Sequence, residues 1–331
     1  MAFLTGLSAG LLTLLAVASA DFLFLGRSPL TEGPPQFNSY FALRTLAIAA
    51  AACAICFALP FFRMQHDTRE RIWIYLATTY ASATLVVVVA LLAIDPALYS
   101  RLAREDGLVE WASAIFLICA GIAVLWPTPK NLQREYPYRV NVFRWCFAGG
   151  CFLIALEEIS WGQRIFGFAT PSFLDNLQHE TNLHNFATNP TENLYYVGSF
   201  IYLVIVPVAF SAFRRSENPL TFLSPGIAAC AAALPLASLN HDMWDVVPQQ
   251  AVFFLALAIA IRAFWFNMHH SSTLAFLWGV LAITLAGSQA AMLFTGHTQP
   301  RSWDSTEYKE LFIAIGLMLA GLSLRGRATS E

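Results

Sequence analysis

The stretch 72–94 reads IWIYLATTYASATLVVVVALLAI, with no Asp, Glu, Lys or Arg between Arg71 and Asp95. As an α-helix it is about 35 Å long at about 1.5 Å per residue. The hydrocarbon core of a bilayer is about 30 Å thick, so this segment has the length and polarity of one membrane crossing. Working outward, comparable apolar stretches occupy 3–25, 41–62, 107–126, 142–160, 193–213, 222–239, 247–266, 273–295 and 309–324. The seventh in chain order, 222–239, is short by the length rule. Together they predict an all-α, polytopic transmembrane bundle of about ten helices, with 1–331 as a single integral membrane domain. One connection is long, about 161–192, and is expected to hold an interfacial or re-entrant helix.

Composition points the same way. Of 331 residues, 57% are hydrophobic and 12% charged, where soluble domains carry about a quarter charged residues. This excludes a soluble globular domain and a disordered chain. The net charge of −2 excludes a basic nucleic-acid binder. Cys53, Cys56, Cys119, Cys146, Cys151 and Cys230 all fall in apolar stretches, so they read as small packing residues rather than a disulfide framework. Ala18-Ser19-Ala20 before Asp21 looks like a signal-peptidase site, but no Lys or Arg precedes the apolar run, which favours an ordinary first helix.

Lys and Arg set orientation. With the N-terminus inside, twelve of the 19 basic residues fall on the cytoplasmic side and seven outside. Both termini are then cytoplasmic. Acids contribute little to topology, yet sixteen of the 21 fall outside. That one-sidedness has two readings: a solvated acidic rim, or an outer-face site for a divalent metal or proton transfer. The predicted span centres carry almost no ionisable residue, which argues against an ion-coupled pump.

Glu157-Glu158-Ile159-Ser160-Trp161-Gly162-Gln163-Arg164 is the most unusual run. Two carboxylates end an outward helix, at the terminus whose partial negative charge favours cations. At least one must be protonated, paired with Arg164, or bound to a metal. Helical neighbours point about 100° apart, so the two acids are expected to do different work. Further along, Thr170-Pro171 is a good helix start. Asp175/His179, Glu180/His184 and His241/Asp245 have i, i+4 spacing, which suits metal ligands or an acid-oriented imidazole. None of these is a named zinc motif. Glu110 and Glu310 open apolar helices, where simple first-turn acids are the competing explanation. A gapless 200-residue offset also aligns Glu110–Ile122 with Glu310–Leu322. Trp111, Trp161, Trp244 and Trp303 read as an interfacial belt.

The Glu157–Arg164 run and Asn182-Leu183-His184-Asn185 resemble segments of an uncharacterised family of bacterial polytopic inner-membrane proteins. The resemblance covers about 30 residues; it implies a bacterial inner membrane and no particular activity.

Three functions follow as expectations. The first is a membrane-embedded hydrolase or transferase acting on a lipid or lipid-linked substrate at the outer (periplasmic) face. Its candidate catalytic residues are Glu157, Glu158, Arg164, Glu110 and Glu310. Its candidate metal ligands are His184, His241, Asp245 and Glu180, holding zinc or a similar divalent ion if one is bound. The second is a lipid-phosphate-dependent glycosyltransferase, whose catalytic acid would be Asp21 or Glu32. The third is a non-enzymatic transporter or envelope assembly factor. Membrane lipids are the expected partners in all three.

Overall fold

The computed structural model describes residues 2–59, 68–104, 107–126, 137–167, 188–211 and 223–326. Among these the chain is all-α, with no strand. In order, the helices are α1 (Ala2–Leu25), α2 (Ser39–Ala58), α3 (Thr68–Ile94), α4 (Pro96–Leu102), α5 (Leu108–Leu125), α6 (Pro137–Glu158), α7 (Gln163–Phe166) and α8 (Thr188–Phe200). A π-helical turn, Ile201–Ile205, joins α8 to α9 (Val206–Phe210). Then follow α10 (Ile227–Ala233), α11 (Val247–Met268), α12 (Ser272–Thr295) and α13 (Asp304–Gly326).

Among the described residues, eight helical segments are long and apolar enough to cross a membrane, and the chain has the build of a multi-pass membrane protein. Its outer surface fits a lipid solvent: Leu12, Leu46, Phe57, Ile94, Ile283 and many other large apolar side chains are exposed, while the backbone polar groups are satisfied within helices. Exposed Trp111 and Trp303 mark one end of the bundle, and Trp73, Trp126, Trp145 and Trp265 the other.

Two stretches differ from the simple count of spans. The short seventh one forms no full crossing. It is α10 continued by a 3-10 turn, Leu234–Ala237, and every residue from Ile227 to Ala237 is buried. Pro235 lacks a donor and breaks the helix there. The last stretch is a helix of full length, but it begins earlier, at Asp304, so its first turns carry ionisable residues. The middle of the 161–192 connection, including the expected helix after Thr170, lies outside the described residues.

Packing runs α1–α2–α11–α12–α3–α10–α13–α5–α6, with α10 at the centre. Small residues permit the closest approaches. A Cβ at Gly321 of α13 would stand 2.8 Å from the Ala120 carbonyl oxygen of α5. One at Gly316 would stand 2.9 Å from Leu203, inside the π turn. These contacts set α13 against α5 and against the π turn that follows α8, and α5 and α13 start at the same end.

At the opposite end, arginines satisfy carbonyls that helix termini leave unpaired. Arg262 donates to the Cys56 and Leu59 carbonyls at the end of α2. Arg144 donates to those of Val124 and Trp126 at the end of α5, both at 2.7 Å. The six cysteines are free thiols.

Candidate functional site

The carboxylates gather where α6 ends and α13 begins. After Glu158 the chain doubles back through Ser160, Trp161 and Gly162, whose φ angles are +47°, +55° and +75°. Two of these are not glycine, and such a conformation costs on the order of 1–3 kcal/mol per residue. The two adjacent acids precede this turn, at the end of α6, and point apart as helical neighbours do. The Trp161 indole N–H donates to Glu157 Oε1 at 2.6 Å. Glu158 points inward instead and is only 8% exposed.

Glu307 and Glu310 lie three residues apart on α13 and so share a face. A carboxylate oxygen from each, and one from Glu158, all lie within 4.8 Å of one another. Glu158 is at the wrong end of its own helix, but it faces the first turns of α13, whose N-terminal partial positive charge favours anions. Even so, two full charges at that separation repel by roughly 3–4 kcal/mol at an effective dielectric of about 20. With Glu158 buried and Glu307 and Glu310 half-buried, three charges at this separation need protons or a cation between them. The Glu158 and Glu310 carboxyls are in hydrogen-bonding range, and Glu110, at the start of α5, adds its field.

Hydrogen-bond donors surround this cluster. Tyr196 donates to Glu310 Oε1 at 2.9 Å. Its ring also underlies the Lys309 ammonium, 5.0 Å from the centroid. Lys309 is 1% exposed and donates to Asn240 Oδ1 at 2.5 Å. Asn240 is itself fixed: Nδ2 donates to the Ala237 carbonyl at 2.8 Å, and the backbone exchanges two hydrogen bonds with the Gln289 amide. The preceding residue, Leu239, has φ +64°. The Tyr195 hydroxyl is buried without a hydrogen-bond partner, within electrostatic reach of Glu158 and Glu310. Glu32, in the 26–38 loop, also feels Lys309. Burial pushes the Glu32 carboxyl above its ordinary range, Lys309 pulls it back, and Asp242 pushes it up again.

The other residues singled out in the sequence are placed differently. Asp245 does not join the cluster. It sits in a buried charge network that ties α1 and α2 to the 238–246 segment. Arg44 Nε is 3.0 Å from Asp21, and its Nη1 is 3.4 Å from Asp245. Arg44 also donates to the Asp245 carbonyl. The Gln36 backbone N–H donates to Asp245 Oδ2 at 2.9 Å, and Arg27 stands 3.9 Å away. Burial raises the Asp245 carboxyl above its usual range; the Gln36 N–H, Arg44 and Arg27 oppose the rise. Nor do His241 and Asp245 meet as an i, i+4 pair, because the segment is turns rather than helix. His241 Nδ1 instead meets Asp242 at 2.8 Å. Asp21 is bound by Arg44 and by the Tyr40 hydroxyl at 2.6 Å. His184, Glu180 and the side chain of Arg164 lie outside the described residues.

Tyr195 and Tyr196 are not among the sequence candidates, and Glu307 and Lys309 enter the sequence reading only within the acid-rich outer segment 303–310, whose acids read first as simple helix-opening residues. The i, i+3 spacing of Glu307 and Glu310 was the available signal for Glu307. For Lys309 it was a cation in the N-terminal turns of an apolar helix, where the dipole disfavours it. Comparison with known protein families, with curated proteins and with solved structures finds no match to this chain.

Proposed function

We propose that this chain is a membrane-embedded enzyme, a hydrolase or transferase acting on a lipid or lipid-linked substrate, with a divalent cation held by Glu158, Glu307 and Glu310. The observation that carries the reading is the meeting of these three carboxylates, from helices far apart in sequence, within 4.8 Å. Three oxygen donors suit a hard ion such as magnesium or manganese better than zinc, which prefers nitrogen and sulfur. When bound, such an ion supplies Lewis acidity and an activated water. The strained turn after Glu158 and the strained Leu239 support the reading, since strain collects at working sites. The buried ion pair of Asp21 with Arg44 and its hydrogen bond from Tyr40 engage both carboxylate oxygens, which weighs against the glycosyltransferase version built on that residue. The Lys and Arg distribution supports a periplasmic location for the cluster on a bacterial inner membrane, where lipid head groups would reach it.

The test is turnover of periplasmic-leaflet lipids by purified protein, with products read by mass spectrometry. Cation-dependent product is expected, reduced about a hundredfold or more in Glu158→Gln and in Glu307→Gln, since a bound cation supplies several kcal/mol of transition-state stabilisation. Turnover that survives both a chelator and both substitutions overturns the reading.

A further inference from the structure

The cluster is rich in acceptors, and its donors are few enough to account for one by one. Tyr196 spends its O–H on Glu310. Tyr195 has a buried hydroxyl with no partner. Lys309 has three N–H groups, one given to Asn240 and a weak one to the Met243 sulfur at 3.7 Å. A lysine buried for structure alone is expected to sit against a carboxylate. Here the oxygen in contact is a neutral amide, locked from both sides by Ala237 and Gln289. The hydrogen-bonded partner is neutral, and the carboxylates of Glu192, Glu32 and Glu310 act on the ammonium through their field. The Lys309 ammonium lies over the ring of Tyr196, whose hydroxyl holds Glu310, and the neighbouring Tyr195 lies within electrostatic reach of Glu158 and Glu310, so the two donors border the same cluster. A group that satisfies two donors and a cation together must be an acceptor with several oxygens and negative charge.

We propose that the ligand of this site is a phosphate monoester or free phosphate, held by the cation on one side and by the Tyr195 hydroxyl and the Lys309 ammonium on the other. This rests on the cation site proposed above and names the chemistry of what it binds. A carboxylate group alone has two oxygens and one charge. Phosphate has oxygens enough to reach the ion and both donors, and enough charge to offset the ammonium and part of the cation. The donors also account for how an anion is accepted beside so many carboxylates: the cation and Lys309 reverse the sign of the field where the ligand lies.

The experiment uses the full chain in detergent, loaded with Mn2+, and reads paramagnetic relaxation of 31P. The two probes are inorganic phosphate and dihexanoylphosphatidate. Both are expected to relax faster in the presence of the loaded protein, and tighter binding of phosphatidate identifies a lipid headgroup as the source. Equal binding identifies free phosphate. In Tyr195→Phe, which keeps the ring and its packing, the affinity is expected to fall about tenfold with Mn2+ stoichiometry unchanged. Lys309→Gln is expected to weaken it at least as much. Mn2+ bound as expected, with no phosphorus relaxation or with relaxation unaffected by either substitution, overturns the phosphate proposal and leaves the cation site standing. Failure of Mn2+ to bind overturns the cation site and this inference with it.

Discussion

Arg44→Met is expected to destabilise the protein by about 3–5 kcal/mol, the usual cost of leaving a buried charge without its partner. The side chain of Arg44 is 2% exposed and those of Asp21 and Asp245 are each 1% exposed. One guanidinium therefore serves two buried carboxylates at once. It also holds the Asp245 carbonyl and stacks over Phe41, 5.2 Å from the ring centroid. Truncation strands both acids and frees α1, which packs mainly on α2. Arg44→Lys should recover little, because an ammonium cannot present the planar fork that spans both partners. The triple change Arg44→Met, Asp21→Asn, Asp245→Asn should recover much of the loss, since it removes the stranded charges. Thermal unfolding in detergent measures all three. A loss below about 0.5 kcal/mol for Arg44→Met, the range of ordinary surface substitutions, would contradict a network role.

The second large effect has the opposite sign. Glu158→Gln is expected to raise the melting temperature in chelator, because it removes one of three crowded carboxylates that repel by roughly 3–4 kcal/mol per charged pair. The same change should abolish stabilisation by added Mg2+ or Mn2+. In the native sequence a cation at a hundred times its dissociation constant stabilises by about 2.7 kcal/mol. A stabilised variant that no longer responds to the cation is the signature of a site that trades stability for function. If Glu158 were half of a structural ion pair, the substitution would lower the melting temperature instead.

Much of the fold is written in segment length and polarity. Residues 72–94 reappear inside α3, Thr68–Ile94. The short stretch 222–239 was marked by its length, and its outcome as a buried part-helix follows from Pro235 and from small side chains, Ala228 to Ala233 with Cys230, that let neighbours close around it. The site was legible only in part. Glu158 stands out because a carboxylate at the C-terminal end of an apolar helix carries a cost that demands an explanation, and Glu110 and Glu310 stand second to it as acids that open apolar helices on the same side. Glu307 was hidden because a first-turn acid is explained well by the dipole alone. The pairing of Arg44 with Asp245 joins residues 201 apart in sequence, and nothing in local spacing encodes it. His241 and Asp245 misled for a related reason. Their i, i+4 spacing has meaning only on a helix, and Leu239 at φ +64° starts a turn there instead.

The central claim is that Glu158, Glu307 and Glu310 together hold one divalent cation. Titration of purified protein with Mn2+, followed by electron paramagnetic resonance of the free ion, tests it most directly. The account predicts one saturable site per chain, lost in Glu158→Gln and in Glu307→Gln and retained in Glu157→Gln, whose carboxylate is held by Trp161. Weak, unsaturable uptake, or a site that survives the first two substitutions, would contradict it.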